Sequence, residues 1–443
     1  MTRSLTPPVS APPSGGRRPV RPLLAALLGS LLAACGSGPA ASGAGSAPGS
    51  SLVVSLDRVP VSGPLAQPGT LRLQGVPASG VSVTVQAAPG LSVTPGAAVA
   101  SGSDALLPLT VTGTGRGTVT LNVRAGNRSQ DVTVRVLGSE QHVPAAPYLA
   151  GAVRSQGDRV LLRATVSADA ASRHALLAFD PADRTFTPLP FPVAGFETIT
   201  SHAVNGPDVW VAVRGVNADG SFLVRRSADG ATRRYLAGTV ETLNHVTPLA
   251  DGRVAFTAYG QERVLLLDPA SGTIQAVATQ GAPDSVTLGA DGRLYFARRG
   301  DSPAIVALNL ADGAARTYPV GTPGVSVPAS LTAAPDGTLW FTESRTGTLR
   351  ALDPVSGTQR QVTLPAGRGP GDEARPGDLT VAPDGTVWAT DTAHPALLRV
   401  LPGESSAAAL TLPAGPTAGP RALHAAPDGS VWFETGGTLA RLR

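Results

Sequence analysis

Three carboxylates, Glu197, Glu241 and Asp284, each stand two residues before an apolar residue (Ile199, Leu243, Val286) that belongs to a strand-length run. Aligned on these and on Leu331, Leu379 and Leu423, the same position holds Ala329, Gly377 and Arg421, with Asp378 adjacent. Oxygen donors at one level of a repeated structure converge, and such hard ligands suit calcium or magnesium. The other reading is a solvated rim with Arg421 as counter-charge. His202, His245 and His424 fall in or near the same runs. Each is a candidate general base, because a neutral imidazole accepts a proton near neutral pH. Their offsets from the aligned apolar residue differ, as those of structural histidines would. His142, His174 and His394 suggest no partner.

The elements that must position these groups come from a repeat. In AAPDGTLWFTESRTGTLRALDPVSG a turn at Pro335-Asp336-Gly337 leads into Leu339-Trp340-Phe341, a second turn at Thr346-Gly347, a run from Leu349 to Leu352 and a third turn at Pro354. Proline presets φ, and glycine supplies positive φ. The pattern therefore reads as consecutive antiparallel hairpins. The Asp-Gly pair recurs at Asp251, Asp291, Asp336, Asp384 and Asp428, at spacings of 40, 45, 48 and 44 residues. Several strands in a period of about 40–50 residues predict a β-propeller. Two weaker units upstream, around Asp158 and Asp208, bring the expected count to seven blades over residues 139–443. The last unit has three recognisable strands, so part of residues 138–147 is expected to supply its fourth. Trp210, Trp340, Trp388 and Trp432 fall in second strands and are expected to pack between blades.

Residues 1–34 contain Arg17, Arg18 and Arg21, then an uncharged run and Leu32-Ala33-Ala34-Cys35. A basic start, a short apolar stretch and small residues before a cleavage point describe a secretory signal. The Leu-Ala-Ala-Cys pattern resembles the lipobox of bacterial lipoproteins, which implies that Cys35, the only cysteine, carries a diacylglycerol. The expected location is exported and lipid-anchored in the cell or outer membrane, facing periplasm or exterior. Residues 35–50 then form the lipidated cysteine and a Ser/Gly/Ala/Pro-rich tether. The formal charge of +4 includes Arg3, Arg17, Arg18 and Arg21; without those four, 31 basic residues face 31 acids. A neutral mature chain argues against a nucleic-acid partner. The basic residues are all arginine, which excludes Schiff-base and phosphate-loop lysines.

Residues 51–138 alternate apolar and polar residues, as in Val81-Val83-Val85, Val119-Leu121-Val123 and Val132-Val134-Val136. Period two means half-buried antiparallel strands. The segment is similar to bacterial immunoglobulin-like β-sandwich modules, which implies a spacer or adhesive role. The fold class is all-β.

The units AAPDGTLWFTESRTGTLRALDPVSG, VAPDGTVWATD and AAPDGSVWFETGGTLARL resemble the repeats of the streptogramin lyase (virginiamycin B lyase) family. That resemblance implies a seven-bladed propeller that opens a cyclic depsipeptide at its ester by elimination, with a histidine base and magnesium on one face of the ring. Glu343 matches the glutamate ending the family's Trp-Phe-Thr-Glu run and Glu434 comes close, which makes both candidate catalytic residues. Pro328, Pro376 and Pro420 match the family's proline, but Ala329, Gly377 and Arg421 follow where its histidine should stand. The leading expectation is therefore a ligand- or protein-binding lipoprotein that uses the channel mouth. A metal-dependent lyase or hydrolase and a structural cell-envelope protein are the alternatives.

Overall fold

The computed structural model describes residues 52–86, 91–112, 115–143, 148–166, 173–192, 197–215, 220–236, 242–365, 374–412 and 419–443. The expected signal, Cys35, the tether and Glu241 lie outside the described residues.

The Asp-Gly turns form as their chemistry dictates. Asp251, Asp291, Asp336, Asp384 and Asp428 each accept the backbone N–H two residues on at 2.9–3.1 Å. The glycines that follow have φ between +75° and +89°, a region that penalises any side chain. Each such turn joins a first strand to a buried second strand.

Six meanders of four antiparallel strands follow one another, beginning with Tyr148–Gln156, Thr198–Asn205, Leu243–Pro248, Ala282–Leu288, Pro328–Ala333 and Pro376–Val381. A further sheet begins with Arg421–Ala425 and continues through Val431–Thr435 and Thr438–Leu442. Its outer strand is Arg128–His142, with His142 opposite Leu439 and Ser139 opposite Leu442. The borrowed strand expected in 138–147 is thus paired over Ser139–His142, and 144–147 lie outside the described residues. First strands touch in succession, and Arg421–Ala425 meets Tyr148–Gln156. These sheets are the blades of a β-propeller.

Packing between blades follows from the second strands. Trp210, Trp340, Trp388 and Trp432 are all buried there, as expected. Trp210 joins Phe256, Leu265 and Leu267 of the next blade in one apolar cluster. Burying a ring of this size contributes about 4–5 kcal/mol before entropy is counted. At the tryptophan level the second strands carry Leu161, Trp210, Ala255, Tyr295, Trp340, Trp388 and Trp432, and each blade takes its name from that residue.

Upstream, two β-layers pack face to face. One contains Val54–Arg58, Gly69–Leu73 and Asp104–Thr112; the other contains Val81–Gln86, Gly117–Ala125 and Arg128–His142. Leu71, Leu73, Leu107 and Leu109 meet Val119, Leu121, Val123 and Val134 between them. The first layer continues the Trp388 blade, since Val59 N–H donates to Ala409 O at 3.0 Å. The second continues the Trp432 blade through the single strand Arg128–His142. Open blade edges would be sites for wrong pairing, and the layers cover two of them. The expected boundary at 138/139 falls inside that strand.

Candidate functional site

Strand register decides which side chains share a level of the channel. Facing the seven name residues across the first hairpin stand Arg154, Ala203, Thr247, Thr287, Thr332, Thr380 and His424. Each first strand carries a one-residue irregularity upstream of that level. Three residues before the level stand Thr200, Asn244, Asp284, Ala329, Gly377 and Arg421. The expected alignment of Glu197 and Glu241 with Asp284 is therefore corrected. Ile199 and Leu243 correspond to Pro283, not to Val286. The equivalent of Val286 in the Trp210 blade is the polar His202, so apolar matching slides the register three residues upstream.

Asp284 is also committed elsewhere. Its Oδ2 accepts from Arg299 Nη2 at 2.6 Å, and its backbone carbonyl accepts from Thr257 Oγ1 at 2.9 Å. Glu197 is buried just before its first strand. Asp378 is exposed at the channel and accepts Ala422 N–H at 3.1 Å, and Arg421, the neighbour of Ala422 in the chain, is exposed as well. Among the described residues, no three His, Cys, Asp or Glu side chains form a group able to hold a metal ion.

The first strands surround a central cavity of about 830 Å³ lined by Arg154, Ser155, Arg163, His245, Asp378 and His424, among others. Arg163 donates through Nη1 to Ile199 O at 2.9 Å and Thr200 O at 2.8 Å, bracing one blade against the next. Among the described residues Arg154 donates through Nη1 to Val153 O alone, at 2.7 Å, which leaves the rest of its fork to the cavity. Burial lowers the pKa of both guanidinium groups, and the Asp378 carboxylate opposes that shift.

The three candidate histidines separate. His245 Nδ1 lies 2.8 Å from Asp284 O; a carbonyl only accepts, so Nδ1 carries the proton and Nε2 keeps its lone pair. Burial lowers its pKa, and Asp284 partly offsets this. His424 Nε2 accepts Ser155 N–H at 3.0 Å and lies 2.6 Å from Ser155 Oγ. Burial and then Arg154 push its pKa down to about 3. His202 is fully buried, does not line the cavity, and neither ring nitrogen has a hydrogen-bond partner among the described residues. Burial, followed by Arg154 and Arg163, holds it well below the usual imidazole range.

Glu343 and Glu434 do not line the cavity either; Glu343 ends its second strand, Glu434 stands one residue before the end of its own, and both are buried. Glu434 Oε1 accepts Gly437 N–H at 2.6 Å, and Glu343 Oε2 accepts from Thr348 Oγ1 at 3.4 Å. Burial raises the Glu434 pKa. At the position of Glu343, one residue beyond that of Glu434, Asp391 accepts the N–H groups of Arg375 and Ala393, each at 2.9 Å, and His394 Nδ1 lies 2.8 Å from its Oδ2. All three acids brace the turn between second and third strands. Arg154, Arg163 and Ser155 were missed from sequence because the Leu161 blade lacks a strong turn signal. An arginine interrupting the apolar run Ala152-Val153 was the one available clue.

The channel wall also stores backbone strain. Ser330 (φ +43°) and Ala422 (φ +57°) occupy the same level, two residues before Thr332 and His424, and both line the cavity. Left-handed residues other than glycine cost roughly 1–3 kcal/mol and cluster at functional sites.

The fold is that of the lyase propellers. A family model for the virginiamycin B lyase family matches residues 192–442, and the chain belongs to that family. A streptogramin B lyase structure is similar at 20% identity over 69% of this chain and 97% of that one, with TM-score 0.58. The selenomethionine-substituted virginiamycin B lyase from Staphylococcus aureus is similar at 18% identity over 69% and 99%, with TM-score 0.57. YCF48 bound to D1 peptide is similar at 14% identity over 68% and 94%, with TM-score 0.51. At these identities the likeness is one of fold. No curated protein matches the chain. The described donors do not fit the magnesium that the resemblance implies, because Asp284 is bound to Arg299 and its level otherwise holds Thr200, Asn244, Ala329, Gly377 and Arg421.

Proposed function

We propose that this is an exported protein, lipid-anchored through Cys35, in which an immunoglobulin-like sandwich carries a seven-bladed propeller that binds an anionic ligand at its channel mouth. Arg154 carries this reading, with most of its guanidinium turned to a cavity of about 830 Å³. Arg163 and Arg421 add positive charge, Asp378 is the one acid lining the cavity among the described residues, and burial keeps His245 and His424 neutral at pH 7. A cationic, partly desolvated funnel attracts and orients anions. The test is titration calorimetry of the full chain with pyrophosphate, citrate and a tetraglutamate peptide. At least one binds, the affinity falls as salt rises, and Arg154→Met weakens it tenfold or more. Equal binding by Arg154→Met, or no binding of any probe, would sink the reading.

Family membership favours a second reading, a C–O lyase acting on a cyclic depsipeptide. His245 supports it, since a carbonyl-anchored imidazole with a free Nε2 facing a cavity has the geometry of a general base. Elimination at the ester would open the ring to a carboxylic acid and an alkene without change of mass. Incubation with a streptogramin B depsipeptide, with and without magnesium, tests for an isomer of shifted chromatographic mobility that His245→Ala does not produce. The structural cell-envelope role stands if both assays fail.

A further inference from the structure

Arg399 lies in the third strand of the Trp388 blade, directly opposite Trp388, and is 4% exposed. Its Nε is buried without a partner, and no hydrogen bond or ion pair reaches its guanidinium among the described residues. The nearest aromatic contact is the Trp388 ring, with its centroid 6.0 Å away. An unpaired buried guanidinium is unfavourable unless something compensates it.

The repeat supplies its own controls. Arg225 stands opposite Trp210 and bonds Asp208, the first residue of that second strand, at 2.7 Å. Arg441 stands opposite Trp432 and bonds Asp428, in the turn before that strand, at 2.6 Å. In the Trp388 blade the place of Asp208 is taken by Thr386, and the acid equivalent to Asp428 is Asp384, which lies 3.7 Å from Arg135 of the sandwich strand instead. The sandwich has taken the carboxylate that the Trp432 blade gives to this arginine. Burial holds the Arg399 pKa at about 10, with Glu404 the largest opposing charge.

Arg399 lines a cavity of about 630 Å³ where the two sandwich layers diverge into the Trp388 and Trp432 blades. Leu56 and Val134 form one apolar side, and Trp388, Leu401 and Val431 the other. The polar part of the lining includes Asp131, Arg135, Asp384, Glu404 and Arg443, all exposed, which leaves Arg399 as the buried charge of the cavity. A cavity of this volume with apolar surface and one buried charged anchor has the make-up of a small-molecule site. We infer that this seam is a second ligand site, separate from the channel, which takes an apolar carboxylate: the carboxylate on Arg399 replaces the missing Asp384, and the hydrocarbon lies against Leu56, Val134, Trp388 and Val431. The Arg135–Asp384 pair at its rim is more than half exposed on both sides, so it does not seal the entrance.

Thermal melts of the full chain with octanoate, and with octanol as the neutral control, test this. Octanoate raises the midpoint saturably, by roughly 2–4 °C at a hundredfold excess over its Kd, and octanol does not. Arg399→Met abolishes the rise, and so does Leu401→Trp, which fills the rim without touching the charge. Arg154→Met keeps it. No octanoate-specific rise in the parent chain overturns the seam site, as does a rise that survives both seam variants. Loss in Arg154→Met with retention in Arg399→Met would place octanoate in the channel, overturning this site while leaving the channel reading intact.

Discussion

His142 faces Leu439 across an antiparallel pair that joins a strand begun at Arg128 to the last strand of the chain. Gly138 and Arg443 exchange both backbone hydrogen bonds at the far end of the pair, at 2.9 and 3.0 Å. Partners alternate along such a ladder, so Glu140 and Arg441 form the next bonded pair. Glu140→Pro removes a ladder donor and is expected to lower stability by about 3 kcal/mol or more. Glu140→Gln keeps the backbone bond and loses the ion pairs with Arg441 and Arg443 and the contact with His142 Nε2, each worth less than about 1 kcal/mol. Urea midpoints of the two variants check this, and equal midpoints would show that the pairing contributes little.

Asp391 is 2% exposed and serves three donors. Asp391→Ala strands the N–H groups of Arg375 and Ala393, and a loss of about 2–4 kcal/mol is expected. Asp391→Asn, which keeps one acceptor oxygen, should fall between. Chemical denaturation gives the order, and a loss below 1 kcal/mol in the alanine variant would contradict the bracing role.

The His424 pKa is depressed to about 3 in the folded chain, against about 6.5 unfolded. The fold thus favours the neutral ring. Its contribution to stability is fully present above pH 6.5 and declines as the pH falls toward 3, because the unfolded chain then binds the proton more readily. Arg154 is the charge that faces it, and Ser155 donates to its Nε2. His424→Gln is expected to flatten the stability profile between pH 6 and 4 by up to about 1.4 kcal/mol per pH unit. His202 and His245 shift in the same direction, so a residual slope should remain. Denaturant midpoints at four pH values make the comparison, and parallel profiles would refute the assignment.

Ala422 holds φ at +57° in the channel wall. Alanine to glycine in a strand normally destabilises, but here the left-handed penalty of about 1–2 kcal/mol is removed as well. Ala422→Gly is expected to stabilise the fold by about 0.5–1 kcal/mol while the Asp378 hydrogen bond to residue 422 persists. A melting point lowered by several degrees would mean that the strain is not there.

The blades were legible in the chain because their hairpins are local. Asp336-Gly337 sets its own turn, and the apolar run after it can only be a buried strand. The borrowed outer strand was legible by counting, since the last repeat is one strand short. The level of the channel acids was not, because an irregularity in each first strand moves the register, and His202 at an apolar level conceals the shift that takes Glu197 away from Asp284.

By itself, then, the order of residues determined the repeat, the turns, the tryptophan layer and the alternation of the upstream layers, all of which rest on contacts between near neighbours. Tertiary structure alone decided which polar groups meet. Ser155 and His424 are 269 positions apart, and Arg135 reaches Asp384 only because two sheets of the sandwich grow from two adjacent blades. Closing the ring and docking the layers set those distances, and no local pattern encodes them.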